Sequence, residues 1–76
     1  MIAYIYQGPK NTVSKTADPI SLAECEELFA EAAAQGAEVV RTENTIRAEV
    51  GDMIAFAVIG DSQGDYYRAA KAAGLL

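Results

Sequence analysis

The stretch TIRAEVGDMIAFAVI, Thr45 to Ile59, decides the fold. Its first six residues alternate. Ile46, Ala48 and Val50 fall inward and Thr45, Arg47 and Glu49 outward, the period-two pattern of a half-buried strand. Gly51-Asp52 fits a two-residue hairpin turn with glycine first. Met53 to Ile59 is apolar at every position, so this second arm is covered on both faces and belongs in the middle of a sheet.

Working back from the hairpin, Glu38 to Thr42 reads as another strand, joined to it by a turn at Glu43-Asn44. Before it lies the most strongly signalled helix. Ser21 and Glu24 form an S-x-x-E capping box, and Ile20 can staple onto Cys25. Leu22, Cys25, Phe29 and Ala32, with Leu28 at the edge, recur at helical spacing, and Gly36 supplies a left-handed stop. At the N-terminus, Ile2 to Gln7 alternates as a strand, followed by a Gly8-Pro9-Lys10-Asn11 turn signal. Thr12 to Thr16 reads either as a short edge strand, which Lys10 and Lys15 would suit, or as a loop running to Pro19. Beyond the hairpin, a last helix from about Gln63 to Ala73 is capped by Ser62 or Asp61 and closed by Gly74. It directs Tyr66, Tyr67, Ala70 and Ala73 inward and Arg68 and Lys71 to water.

The order β(β)αβββα predicts a single α+β domain over residues 1–76. The simplest packing is a two-layer sandwich: a mostly antiparallel sheet of four or five strands with both helices against one face. The first strand is expected to reach its place by a right-handed crossover over the first helix.

A domain of 76 residues buries only about 60% of the surface its unfolded chain exposes, so its core needs support from packing, self-association or a partner. Covalent staples are excluded, because Cys25 is the only cysteine. With no histidine, the chain also lacks the N/S ligand set of a tetrahedral metal site, and no cofactor motif is present. No apolar run approaches the ~20 residues that span a membrane, and an unpaired cysteine without an export signal points to the cytoplasm. Eleven acids against six bases give a net charge of −5, which disfavours direct nucleic-acid binding and favours a basic partner or no charged partner at all.

Gly60-Asp61-Ser62-Gln63-Gly64 matches the G-x-S-x-G pattern of serine hydrolases, placed between a strand and a helix as that chemistry requires. The chain holds no histidine to take the serine proton, and Lys71 falls on a wet helix face where nothing depresses its pKa. Ser62 is therefore expected to be a helix cap, with Asp65 completing an S-x-x-D box. Cys25, on an apolar stripe beside Glu24, Glu26 and Glu27, is expected to be a core residue rather than a nucleophile. No catalytic residue is assigned, and the chain is not expected to be an enzyme.

The outer face of the first helix is more informative. At 100° per residue Glu24, Glu27 and Glu31 fall within about 60° of one another, opposite the apolar stripe, with Glu26 on the flank. No Lys or Arg occurs between Ser21 and Val40. Glu27 and Glu31 form a like-charged i,i+4 pair, which costs a few tenths of a kcal/mol. A face kept acidic at a local cost reads either as a solvated surface or as a docking face for a basic groove. In the second case its carboxylates would imitate a phosphate array. Tyr4, Tyr6, Tyr66 and Tyr67, with Leu75 and Leu76, form a second candidate surface.

These features predict a small inhibitor that docks on a larger, nucleic-acid-handling protein through Glu24, Glu26, Glu27 and Glu31. In general character, though in no motif, it is similar to the small acidic anti-defence proteins of phages, such as the anti-CRISPR proteins. The alternative is a structural or assembly module, a homodimer or accessory subunit, using a sheet edge or the tyrosines.

Overall fold

A computed structural model describes residues 2–76. The elements are β1 (Ile2–Pro9), β2 (Asp18–Ser21), α1 (Leu22–Ala34), β3 (Glu38–Arg41), β4 (Thr45–Val50), β5 (Met53–Gly60) and α2 (Gln63–Ala72). All five strands join one antiparallel sheet in the order β2-β1-β5-β4-β3. The α+β class, the antiparallel sheet and the element order are as the sequence predicts. β5 lies at the centre, as its unbroken apolar run requires.

The placement of the helices departs from the expected two layers. On β5 and β1, alternate residues enter two separate clusters. Ala3, Ile5 and Ala57 join Cys25 and Phe29 of α1, while Ile54, Phe56 and Val58 join Tyr66 and Ala70 of α2. Successive strand residues point to opposite faces, so α1 and α2 cover opposite sides of the sheet and the domain has three layers. Side-chain volume explains which helix goes where. The sheet gathers its alanines on one face (Ala3, Ala48, Ala55, Ala57), set among Ile5, Ile46 and Ile59, and α1 fills the space over them with Phe29, Leu22 and Leu28. The other face is bulky (Tyr4, Tyr6, Ile54, Phe56), and α2 lies on it with Ala69 and Ala70 around a single Tyr66. Large meets small on both sides, which is how close packing is reached without strain.

The second strand is also displaced from its expected place. Residues 12–16 are a loop, and the chain pairs with β1 only at Asp18–Ser21, with Ile2 opposite Ser21 and Ile5 opposite Asp18. The loop is held down by side chains rather than by a ladder. The Tyr6 hydroxyl donates to the carbonyls of Pro9 (2.9 Å) and Thr12 (3.2 Å), and that of Tyr66 donates to Ser14 (2.8 Å). Gln63 accepts from the Ala17 amide at 2.9 Å and donates to its carbonyl, standing in for a strand partner. The Tyr6 ring lies over Gly8, where a Cβ would come within 2.7 Å of its hydroxyl.

The helix ends follow the sequence signals. Ser21 accepts from the Glu24 amide at 3.1 Å, and Gly36 adopts φ +94°, which only glycine takes freely. The helix does not carry β1 over the sheet, as expected of the crossover. It links the two edge strands β2 and β3, which run parallel because four antiparallel pairings separate them. Three side chains expected inside lie outside: Val50 is 60% exposed, Tyr67 is 38% exposed and Ala73 is on the surface. Val50 ends its strand past the reach of α1. Tyr67 turns outward because the short α2 buries only the stripe of Tyr66, Ala69 and Ala70.

Candidate functional site: the outer face of the first helix

Glu24, Glu27 and Glu31 all stand exposed on α1, on the side away from the buried Cys25 and Phe29. Along the axis they span about 10 Å. Four of the six basic residues are spent elsewhere. Lys10 and Arg47 both hold Glu49 (2.7 and 3.1 Å), Arg68 holds Asp65 (2.6 Å), and Arg41 of β3 grips Glu26 in a two-pronged contact at 2.7 and 3.2 Å. Among the described residues none of these ion pairs involves Glu24, Glu27 or Glu31. The four acids singled out from the sequence therefore divide. Three form an unopposed stripe, while Glu26 fastens the flank of the helix to the sheet edge.

Ser62 caps α2, accepting from the Asp65 amide at 3.4 Å. The Asp65 carboxylate reaches back over the cap, accepting chiefly from the Asp61 amide at 2.9 Å and more weakly from that of Ser62. Its carbons pack so near the end of β5 that a Cβ on Gly60 would come within 2.9 Å of the Asp65 Cβ. Cys25 is fully buried, and burial, aided by Glu26, pushes its thiol above the ordinary value. Of the tyrosines only Tyr67 is exposed, with the Lys71 ammonium 5.8 Å from its ring centre. Tyr66 belongs to the core under α2, and Tyr4, Tyr6, Leu75 and Leu76 pack half-buried against it, so the aromatic patch is smaller than expected.

A feature the sequence reading missed is a cleft of ≈ 610 Å³ between α2 and the turn joining β3 to β4, lined by Asn44, Thr45, Phe56, Asp65, Arg68 and Ala69 among others. It exists because α2 covers β5 and β1 but stops short of β4, which could be foreseen only with the strand order in hand. Its two charged groups, Asp65 and Arg68, neutralise each other.

The ion pairs fix how stability depends on pH. The Arg41 hydrogen bonds hold the Glu26 carboxyl below its ordinary pKa, Lys10 and then Arg47 do so for Glu49, and the Asp61 amide and then Arg68 for Asp65. A carboxyl depressed in the folded state stabilises fully above its unfolded pKa and ceases to do so as pH falls through the folded value. Burial raises the Cys25 thiol and the Tyr66 phenol, whose contribution is complete below their unfolded values and is lost as pH rises through the folded ones. With no histidine, the melting temperature is expected to hold level from about pH 5 to about pH 8 and to fall on both sides. A transition centred near neutrality in a thermal-melt pH series would contradict this.

No protein-family model, no curated protein and no solved structure matches the chain.

Proposed function

We propose that this protein is a small antagonist that docks the outer face of α1 into a basic groove of a larger, nucleic-acid-handling protein. The observation that carries the reading is the unopposed stripe of Glu24, Glu27 and Glu31, kept free of counter-charge in a chain that pairs most of its bases elsewhere. Carboxylates on a rigid helix present fixed negative charge to guanidinium and ammonium groups that otherwise hold phosphates. Such complementarity steers encounter and sets specificity. The net charge of −5 opposes direct binding of nucleic acid, so the target is the protein and not its substrate. Among the described residues no helix is long and apolar enough to cross a membrane; the free, buried Cys25 suits a reducing compartment, and on that ground we place the encounter in the cytoplasm. The likeness to anti-CRISPR proteins is one of size and charge.

The test is capture of the partner from host lysate, followed by titration of the purified pair. Glu24→Lys, Glu27→Lys and Glu31→Lys together are expected to weaken binding by about 100-fold. Added nucleic acid should compete with the wild type, whose affinity should fall steeply with salt. The fold should survive, because all three side chains are exposed and positions 27 and 31 keep a like-charged i,i+4 spacing either way, so only the few tenths of a kcal/mol lost at Glu24 near the positive helix end count against it. Unchanged binding by the folded triple variant would retire the docking face.

The second reading, a structural or assembly module, is favoured by the exposed Met53 (53%) and Val50 at the hairpin end beside Pro9. If that patch carries the partner, Val50→Lys with Met53→Lys abolishes capture and the triple glutamate variant does not.

A further inference from the structure

The two edges of the sheet are not equivalent. Thr42 donates its amide to the Thr45 carbonyl at 2.9 Å, and the ladder continues in the same register, with Val40 opposite Arg47 and Glu38 opposite Glu49. In an antiparallel ladder alternate residues bond inward, so Glu38 and Val40 spend their backbone groups on β4, while Val39 and Arg41 direct theirs outward. The same counting from the β4–β5 hairpin across β5 and β1 turns Asp18 and Ile20 of β2 toward β1 and leaves Pro19 facing outward. Proline has no amide hydrogen, so β2 is a blunted edge. β3 has neither proline nor bulge, and Val40 is 49% exposed upon it.

From this juxtaposition we propose that two copies of the chain pair through their β3 strands into one continuous ten-stranded sheet. The register follows from symmetry. A two-fold axis perpendicular to the sheet keeps each face on its own side, so residues brought opposite must share a face. With Val40 on the axis, Val39 of each copy meets Arg41 of the other. These are the residues whose backbone groups point outward, and together they make four hydrogen bonds between copies. Val40 then packs on Val40 of the second copy, and Glu38 lies opposite Thr42, so no like charges face each other directly. Charge permits a second copy at this edge, where it would oppose one at the acidic face of α1. Around β3 the four acids Glu26, Glu38, Glu43 and Glu49 meet the three bases Lys10, Arg41 and Arg47, so little of the −5 charge resides there. Because the axis preserves faces, both α1 helices lie on the same side of the joined sheet. On the docking reading above, the dimer presents two acidic stripes to one partner surface.

Light scattering on the eluting protein, from micromolar to millimolar concentration, tests the pairing. The wild type is expected to move from the monomer mass to twice that mass. Val40→Lys places two ammonium groups across the axis on a half-exposed side chain and is expected to weaken dimerisation by roughly tenfold or more. A second measurement needs no variant: the Val39 and Arg41 amides should exchange with solvent more slowly as concentration rises, and that of Val40 should not change. A wild type that stays monomeric throughout, or Val40→Lys dimerising like the wild type, overturns the proposal. The glutamate triple variant should dimerise normally, so the edge pairing and the docking face fail separately.

Discussion

Replacing Tyr66 with alanine is expected to remove about 4 kcal/mol of stability, most of what a domain of this length possesses. The side chain is fully buried under α2, and its ring lies 6.2 Å from that of Phe56 at a tilt of 56°, an edge-to-face type of contact. Around it, α2 contributes only alanines, so no neighbouring side chain on the helix can fill the space. The hydroxyl adds a separate effect by holding Ser14 and, through it, the loop between β1 and β2. Tyr66→Phe keeps the ring and frees the carbonyl of an exposed residue, which water can satisfy, so it is expected to cost only about 1 kcal/mol. Urea denaturation of the two variants separates packing from tethering. Equal losses would mean that the loop tie, and not the ring, holds the α2 layer in place.

The sequence made the class of fold legible because its signals were local. The Gly51-Asp52 turn, the alternation of Thr45 to Glu49, the Ser21 and Ser62 caps and the Gly36 stop each act within a few residues, and each appears where the pattern places it. The layering was legible in principle. A central strand apolar at every position needs cover on both faces, and with only two helices that puts one on each side. Expecting both helices on one face conflicts with that reading of Met53 to Ile59. The displaced second strand lay beyond local reading. Asp18-Pro19 looks like a turn, and residues 12–16 stay out of the ladder because Tyr6, Gln63 and Tyr66, distant in sequence, satisfy the loop's backbone. At the candidate site, helical spacing alone placed Glu24, Glu27 and Glu31 on one exposed face. Its division from Glu26 was hidden, because Arg41 is fifteen residues away and meets the helix only through the β2–α1–β3 crossover.

The second large effect tests the complementarity of volumes that puts α1 on its face of the sheet. Phe29→Ala empties the largest buried side chain of that layer and is expected to cost about 4 kcal/mol. Ala57→Leu adds bulk to the central strand beneath the same helix, where the wild type leaves no room, and is expected to cost about 2 kcal/mol. If the layer is limited by total volume, the two changes together should cost at least about 1 kcal/mol less than their sum, because the added leucine occupies space that the lost ring vacates. The matching experiment on the other face, Ala70→Leu with Phe29→Ala, should show no such coupling. Those residues belong to separate clusters divided by the sheet, yet either change alone weakens the shared β5. Additive losses for Phe29 with Ala57 would show that shape, and not volume, decides which helix each face accepts.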